Sequence, residues 1–201
     1  MDPLFFEKQL WQKGYSAIAG IDEVGRGPLA GPVYACAVIF HRSYFQAGVR
    51  DSKKVSEKKR IILSNLLTGH ALSWAIGQAS VAEIDEMNIR QATFLAMKRA
   101  VKGLQIPADY LLIDGEEIPG VSLPMTALIK GDARSFTIGA ASIIAKVKRD
   151  TYMLHLDRVY PSYGFKTNKG YGTAEHIRAL KLHGVTPYHR NTFLKKIYRG
   201  D

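Results

Sequence analysis

Four carboxylates stand where this sequence changes character. Asp22 and Glu23 follow the apolar run Ala17-Ile18-Ala19-Gly20-Ile21, Asp114 follows Tyr110-Leu-Leu-Ile113, and Asp150 belongs to the helical stretch that begins at Thr137. Gly25 and Gly27 come directly after the first pair, with Arg26 between them and Gly31-Pro32 a few residues on. Glycines let a ligand approach the backbone N–H groups because no Cβ intervenes. An arginine adds a planar fork of donors that suits phosphate. Acids beside an anion-friendly loop repel the same ligand unless a divalent cation sits between them. An all-oxygen set of this kind suits magnesium or manganese, and two such ions on one phosphate activate water and stabilise the leaving oxygen. Taken alone, the first stretch also describes a strand end with a solvated acidic pair and a hairpin turn. Asp114-Gly115 alone also describes a turn, and Lys146 alone accounts for Asp150 as an i,i+4 salt-bridge partner.

The elements that must position these acids are legible. Ala17, Ala19 and Ile21 alternate with Ile18, Gly20 and Asp22, which reads as a strand. Val33–Phe40 reads as a second strand, antiparallel to the first given the short connection. Ser56 opens a helix carrying Ile61, Leu63 and Leu66-Leu67, and Ala71–Ala79 is a third strand. A short helix or turn over Val81–Asn88 and a helix over Arg90–Leu104 lead to the buried strand Tyr110–Ile113. Val121–Ile129 holds another short strand, Thr137–Val159 is the longest helical pattern, and Ala174–His183 is a further helix. A short helix over residues 3–13 precedes them all. Early strands cluster and later ones alternate with helices, which predicts an α/β fold with a mixed sheet. If the strands ending near Asp22 and Asp114 are parallel neighbours, their acids meet beyond the carboxyl ends, where α/β sheets collect ligands. Ile143, Val147 and Leu154 share a stripe with Asp150, so that acid is expected to face the sheet, at a cost unless a cation or donor meets it.

The 201 residues suit one domain of ordinary size, and 46% hydrophobic with 23% charged residues is the balance of a globular protein. The formal charge of +10 favours a polyanionic partner, nucleic acid before an anionic membrane surface. A composition shift near Tyr160–Tyr163 divides residues 1–160 from 161–201. The latter hold eight Lys and Arg against Glu175 and Asp201, a net +6, and form a candidate nucleic-acid clamp or a solvated basic face. Cys36, the only cysteine, lies in an apolar run and is expected in the core; no intrachain disulfide or Cys-based zinc site follows, which fits a reducing cytosol. No signal-peptide pattern opens the chain, and no apolar run approaches the roughly 20 residues that span a bilayer, so a cytoplasmic protein without a membrane partner is expected. The six histidines show no paired spacing. That gives no support to acid–base catalysis by a histidine pair.

Gly20-Ile-Asp-Glu-Val-Gly-Arg-Gly-Pro-Leu-Ala-Gly-Pro32 resembles the opening signature of ribonuclease HII, the type 2 ribonuclease H. Asp51-Ser-Lys53, Ile113-Asp-Gly115, Lys130-Gly-Asp132, Ala141–Asp150 and Asn168-Lys-Gly-Tyr-Gly-Thr173 with His176 follow in that family's order and span most of the chain. The resemblance implies a ribonuclease H-like core with a five-stranded mixed sheet and a C-terminal helical extension. It implies metal-binding, catalytic roles for Asp22, Glu23, Asp114 and Asp150 around two Mg²⁺ or Mn²⁺ ions. In that scheme Asp22 bridges the ions, Asp150 helps hold the ion carrying the attacking water, and Glu23 and Asp114 hold the ion at the leaving 3′-oxygen. The implied activity is cleavage of the RNA strand of RNA–DNA hybrids and nicking 5′ of single ribonucleotides embedded in DNA, leaving 3′-hydroxyl and 5′-phosphate ends.

Substrate contacts follow in the same way. The Gly25-Arg26-Gly27 backbone is expected to meet the 2′-OH, which distinguishes ribose from deoxyribose. Tyr171 is expected on the neighbouring sugar at the RNA-to-DNA junction, and Lys53, Lys146 and Lys169 on phosphates; each lysine also reads as an ordinary surface residue. A monomer is expected, and no short sliding-clamp motif stands out near the C-terminus. A non-catalytic nucleic-acid-binding protein, or a resolvase or exonuclease on the same core, are the alternatives to test.

Overall fold

The computed structural model describes residues 2–49 and 55–199. Along the chain run α1 (Phe5–Gln12), β1 (Ile18–Val24), β2 (Val33–Ile39), α2 (Glu57–His70), β3 (Ser73–Ala79), α3 (Val81–Met87) and α4 (Ile89–Lys102). Then come β4 (Tyr110–Asp114), β5 (Met125–Leu128), α5 (Gly131–Arg134), α6 (Phe136–Val159), a 3₁₀ turn at Pro161–Tyr163, α7 (Phe165–Asn168), α8 (Ala174–His183) and α9 (Asn191–Arg199). The strands form one sheet in the order β3-β2-β1-β4-β5. β1 pairs antiparallel with β2, and β2 with β3; β1–β4 and β4–β5 are parallel. The expected α/β architecture with a mixed five-stranded sheet is what the chain adopts. Ser56 caps α2 as its position suggests. α9 was not anticipated as a separate element.

Helices cover both faces of the sheet. Ala19, Ile21, Ala35, Ala37, Leu111 and Ile113 pack with Ala92, Phe94, Ala96, Met97 and Ala100 of α4. On the opposite face Cys36, Val38 and Phe40 pack with Leu63 and Leu67 of α2 and with Phe136, Ala140 and Ile144 of α6. Cys36 is a buried free thiol, as expected, and burial pushes its pKa up, so it stays protonated.

α6 lies on β1 with unusual closeness. A Cβ at Gly20 would stand 2.2 Å from the Thr137 carbonyl carbon and 2.6 Å from the Ile138 nitrogen. Its first turn is held from α1: the buried Glu7 carboxylate accepts from Ser135 Oγ (2.6 Å), the Thr137 N–H (3.0 Å) and Thr137 Oγ1 (2.9 Å). An anion suits that end of a helix, where N–H groups lack intrahelical acceptors.

The C-terminal helices pack on the far half of α6. Met153 and Leu156 join Ala30, Tyr163, Phe165, Ala179, Leu180 and Leu194 in one apolar cluster. Within it His176 and His189 meet, Nε2 to Nε2, at 3.0 Å. This pairing across thirteen positions is invisible in their spacing. Burial, then the neighbouring His176, pushes His189 down to about 4. A histidine kept neutral in the fold but protonated in the unfolded chain stabilises the protein above its ordinary pKa of about 6.5, and that stability is lost as pH falls toward 4. Urea unfolding between pH 7 and pH 4.5 is therefore expected to show a falling midpoint, with a shallower fall in His189→Gln. Equal slopes in the two proteins would contradict the neutral buried imidazole.

Candidate active site

The register of two parallel strands makes the site. β1 and β4 pair as Ile18 with Tyr110 through Ile21 with Ile113, and the ladder stops there. The next residues on the two strands are Asp22 and Asp114, side by side. Pairing with β2 continues through Asp22, Glu23 and Val24, so β1 extends past the point where β4 turns away. Asp22 is thus two residues short of its strand end rather than at it. Asp22, Glu23 and Asp114 each bring a carboxylate oxygen within 4.8 Å of the others.

These acids sit in a cavity of about 250 Å³ lined by Asp22, Glu23, Val24, Asp114, Asp132, Ser142, Lys146 and Tyr171. A second cleft, on the α4 side, shares Glu23 and Asp114 and adds Arg26, Arg90 and Glu116. The Glu23 N–H donates to Asp22 Oδ1 at 2.7 Å, and the Gly131 N–H donates to Asp114 Oδ1. Gly131 cannot carry a side chain without conflict: a Cβ would stand 2.7 Å from Ile138 Cδ1. Burial, then the adjacent Glu23 charge, pushes Asp22 well above the usual carboxylate range, against the pull of the Ser142 hydroxyl. Burial also raises Glu23, while Arg26 at 3.6 Å lowers it and Asp114 raises it. Crowded, half-dry carboxylates of this kind gain most from a hard divalent cation.

Asp150 does not join them. It accepts from Lys146 Nζ at 2.7 Å and faces Arg60 at 3.6 Å, in a separate small cavity between α2 and α6. The reason is helical rise. Ser142 is the residue of α6 that bonds Asp22, and eight residues further along the helix is about 12 Å away. The expectation that Asp150 completes the set is therefore corrected: the fourth acid lining the cavity is Asp132. The signal for it was present, since Asp132 follows β5 much as Asp114 closes β4, with a glycine alongside each.

The remaining expected residues divide. Tyr171 lines the cavity, 45% exposed, and its Cε1 lies 3.6 Å from where a Gly27 Cβ would stand. Lys146 lines it too, while held by Asp150. Lys169 Nζ points instead to Glu57, at 3.8 Å. Lys53 lies outside the described residues.

Two buried arginines hold the glycine loop: Arg149, and Arg190, one of the eight basic residues of the candidate clamp, which faces inward instead of outward. Arg190 donates to the carbonyls of Gly25, Arg26 (3.0 Å) and Gly31 (2.7 and 2.9 Å). Arg149 donates to those of Pro32 (3.1 Å), Ala30 (3.1 Å) and Lys169 (3.0 Å). Both side chains are fully buried. Burial, then the nearby Arg149 charge, pulls Arg190 down to about 9, so it keeps its charge at neutral pH. Five fixed donors per guanidinium make such a clamp from carbonyls alone. Gly25 is required under it: its φ is +98°, and a Cβ would stand 2.3 Å from Arg149 Nε.

Solved structures share this architecture. Ribonuclease H2 from Pyrococcus horikoshii OT3 superposes with a TM-score of 0.77 at 25% identity, over 92% of this chain and 99% of that one. Bst-RNase HIII, solved in complex with Mn²⁺, does so with a TM-score of 0.71 at 17% identity, over 92% of this chain and 71% of that one. Fold and acids together define a metal-dependent hydrolase of phosphodiester bonds on the ribonuclease H-like fold. The family model for Ribonuclease HII matches residues 19–198. Ribonuclease HII of Clostridioides difficile strain 630 is 52% identical over 96% of this chain and 75% of its own length. That of Caldicellulosiruptor saccharolyticus is 48% identical over 96% and 94%. The chain belongs to the ribonuclease HII family, with ribonuclease H endonuclease activity on RNA–DNA hybrids. Among the described residues no helix is long and apolar enough to cross a membrane.

Proposed function

We propose that this chain cleaves the RNA strand of hybrids and also nicks DNA 5′ of a single embedded ribonucleotide, leaving 3′-hydroxyl and 5′-phosphate ends, with two Mg²⁺ or Mn²⁺ ions. The observation that carries the reading is the carboxylate triad, three oxygens within 4.8 Å in a cavity that also holds Asp132 and Tyr171. The donor set fits the metals: every candidate ligand is a carboxylate oxygen, the chemistry of magnesium and manganese sites. Asp22, Glu23 and Asp114 would hold the ions, with Asp132 in the place first given to Asp150. Bound ions would supply an activated water and charge stabilisation at the leaving oxygen. The chain's own residues do the rest. Asp22 is oriented by Ser142 and the Glu23 amide. A Cβ at Gly27 would stand 3.6 Å from the Tyr171 ring, which lines the cavity, so the Gly25–Gly27 backbone and Tyr171 are the groups proposed to read a ribose. Lys146, which lines the cavity, is the proposed phosphate contact nearest the acids, and Lys53, Lys169 and exposed basic residues of segment 161–201 are proposed as further ones. Counterion release from such contacts makes binding strongly salt-dependent.

A duplex with one ribonucleotide, incubated with Mn²⁺ and with excess EDTA, tests the reading. A single nick 5′ of the ribonucleotide, lost with EDTA, is expected; cutting in EDTA, or cutting of all-DNA duplexes, contradicts it. Asp132→Asn is expected to lose about 10²-fold in rate and Asp150→Asn to stay within about tenfold of the parent. The reverse ranking would restore Asp150 to the site.

A further inference from the structure

We propose that His176 and His189 are positioning residues that set Tyr171 over the acidic cavity through a chain of locked tautomers. The inference rests on Tyr171 reading the substrate. Among the described residues its ring hydroxyl makes no hydrogen bond and the side chain is half exposed, so the ring's place over the cavity depends on where its backbone is held. That backbone is held tightly. The Tyr171 N–H donates to Asn168 O at 2.9 Å, and its carbonyl accepts from the Thr173 N–H at 2.8 Å and from His176 Nδ1 at 2.9 Å.

The proton positions follow from the partners. A carbonyl only accepts, so His176 must carry its proton on Nδ1, leaving Nε2 bare. At the other end the Thr186 N–H only donates, at 2.9 Å, so His189 Nδ1 must be bare and Nε2 protonated. His189 Nε2–H then donates to His176 Nε2, across 3.0 Å. The Thr186 hydroxyl also lies 2.9 Å from His189 Nδ1 and can share that acceptor with the Thr186 N–H, so every nitrogen of the pair is satisfied by two neutral rings in opposite tautomers. A proton added to either ring would break a bond or set two N–H groups face to face. Tyr163 and Phe165 enclose both imidazoles with their rings. The same strip that holds His189 is tied to the glycine loop, by the Ala30–His189 bridge, the Gly31 N–H on Tyr188 O (2.8 Å) and the Arg190 N–H on Leu29 O (2.8 Å). Leu29 and Ala30 in turn donate to Gly170 O, beside Tyr171. The pair thus sets the Tyr171 loop and the Gly25–Gly27 loop in one frame, and misplacing a positioning group by about 1 Å can cost about 10²-fold in rate.

Nitrogen-15 spectra of the imidazoles in the full-length wild type at pH 7.5 are the first test. His176 as Nδ1–H and His189 as Nε2–H are expected; a charged ring or any other tautomer pair overturns the inference. The second test compares kcat and KM on the single-ribonucleotide duplex. His176→Ala is expected to lower kcat about tenfold or more. His176→Asn, whose amide N–H replaces Nδ1–H, is expected to recover most of that loss. In a Tyr171→Ala background His176→Ala is expected to add little, because the ring it positions is gone. An equal loss with and without Tyr171, or no rescue by Asn, overturns the inference. Unimpaired cutting by Tyr171→Ala instead removes Tyr171 from substrate reading, and the inference with it.

Discussion

Asp22→Asn is expected to lower cleavage by about three orders of magnitude or more at saturating Mn²⁺ while leaving the protein folded. Asp22 belongs to the central strand and stands next to Asp114 in the parallel register. Its carboxylate is one of three within 4.8 Å. An asparagine keeps the shape, and its carbonyl oxygen still accepts from the Glu23 N–H. It removes the charge that a divalent ion needs most. The same substitution is expected to raise the melting temperature of the metal-free protein. The sign follows from the pKa. Asp22 is pushed well above the carboxylate range by burial and by Glu23. The ionised form therefore costs free energy in the fold at neutral pH that it does not cost in the unfolded chain. A neutral amide avoids that cost, and metal no longer offsets it. The variant should show a higher melting temperature without metal and a smaller rise on adding Mn²⁺. Activity within tenfold of the parent would remove Asp22 from the reaction. A lower metal-free melting temperature would mean that the acids do not repel as their crowding implies.

Gly20→Ala carries a large expected stability effect. The added methyl would meet the Thr137 carbonyl at 2.2 and 2.4 Å and the Ile138 nitrogen at 2.6 Å. All three atoms belong to the backbone of the first turn of α6, which cannot swing aside as a flexible side chain can. That turn is fixed by the Glu7 carboxylate and by the Phe136 N–H on Pro3 O (2.9 Å). Overpacking commonly costs about 1–3 kcal/mol, and contact with pinned backbone on both sides should exceed that, at about 4 kcal/mol or more. A urea titration reads it directly. The functional consequence runs along the same helix. If α6 lifts from β1 to admit the methyl, Ser142 leaves Asp22, so a folded remnant should cleave poorly as well. Parental stability in this variant would show that α6 has room the structure does not give it.

Local reading carried far in this chain because its signals are local. Alternation in Ala17–Asp22, the apolar run Tyr110–Ile113 and the long repeat after Thr137 each report a backbone period, and strands and a helix stand there. A carboxylate following an apolar strand marks the carboxyl end of that strand. For that reason Asp22, Glu23 and Asp114 could be singled out before their strands were known to be neighbours. Asp150 shows the limit. Its place on an apolar stripe predicted that it faces the sheet; it is buried, but toward Arg60 of α2, because periodicity gives the face of a helix and not the height along it. Height depends on where α6 crosses the sheet, and that is set by the missing side chain at Gly20 and by Glu7, more than a hundred residues away in sequence.

What the sequence determined by itself is the family, the fold class, the three acids that follow apolar strand runs and the anion-friendly loop beside them, since each is written in short-range order and residue type. What tertiary structure alone decided is which acids share a cavity, that Arg149 and Arg190 clamp the glycine loop, and that His176 meets His189. Those depend on contacts between segments brought together only when helices pack on a sheet, and no spacing along the chain encodes the distance between surfaces that fold onto one another.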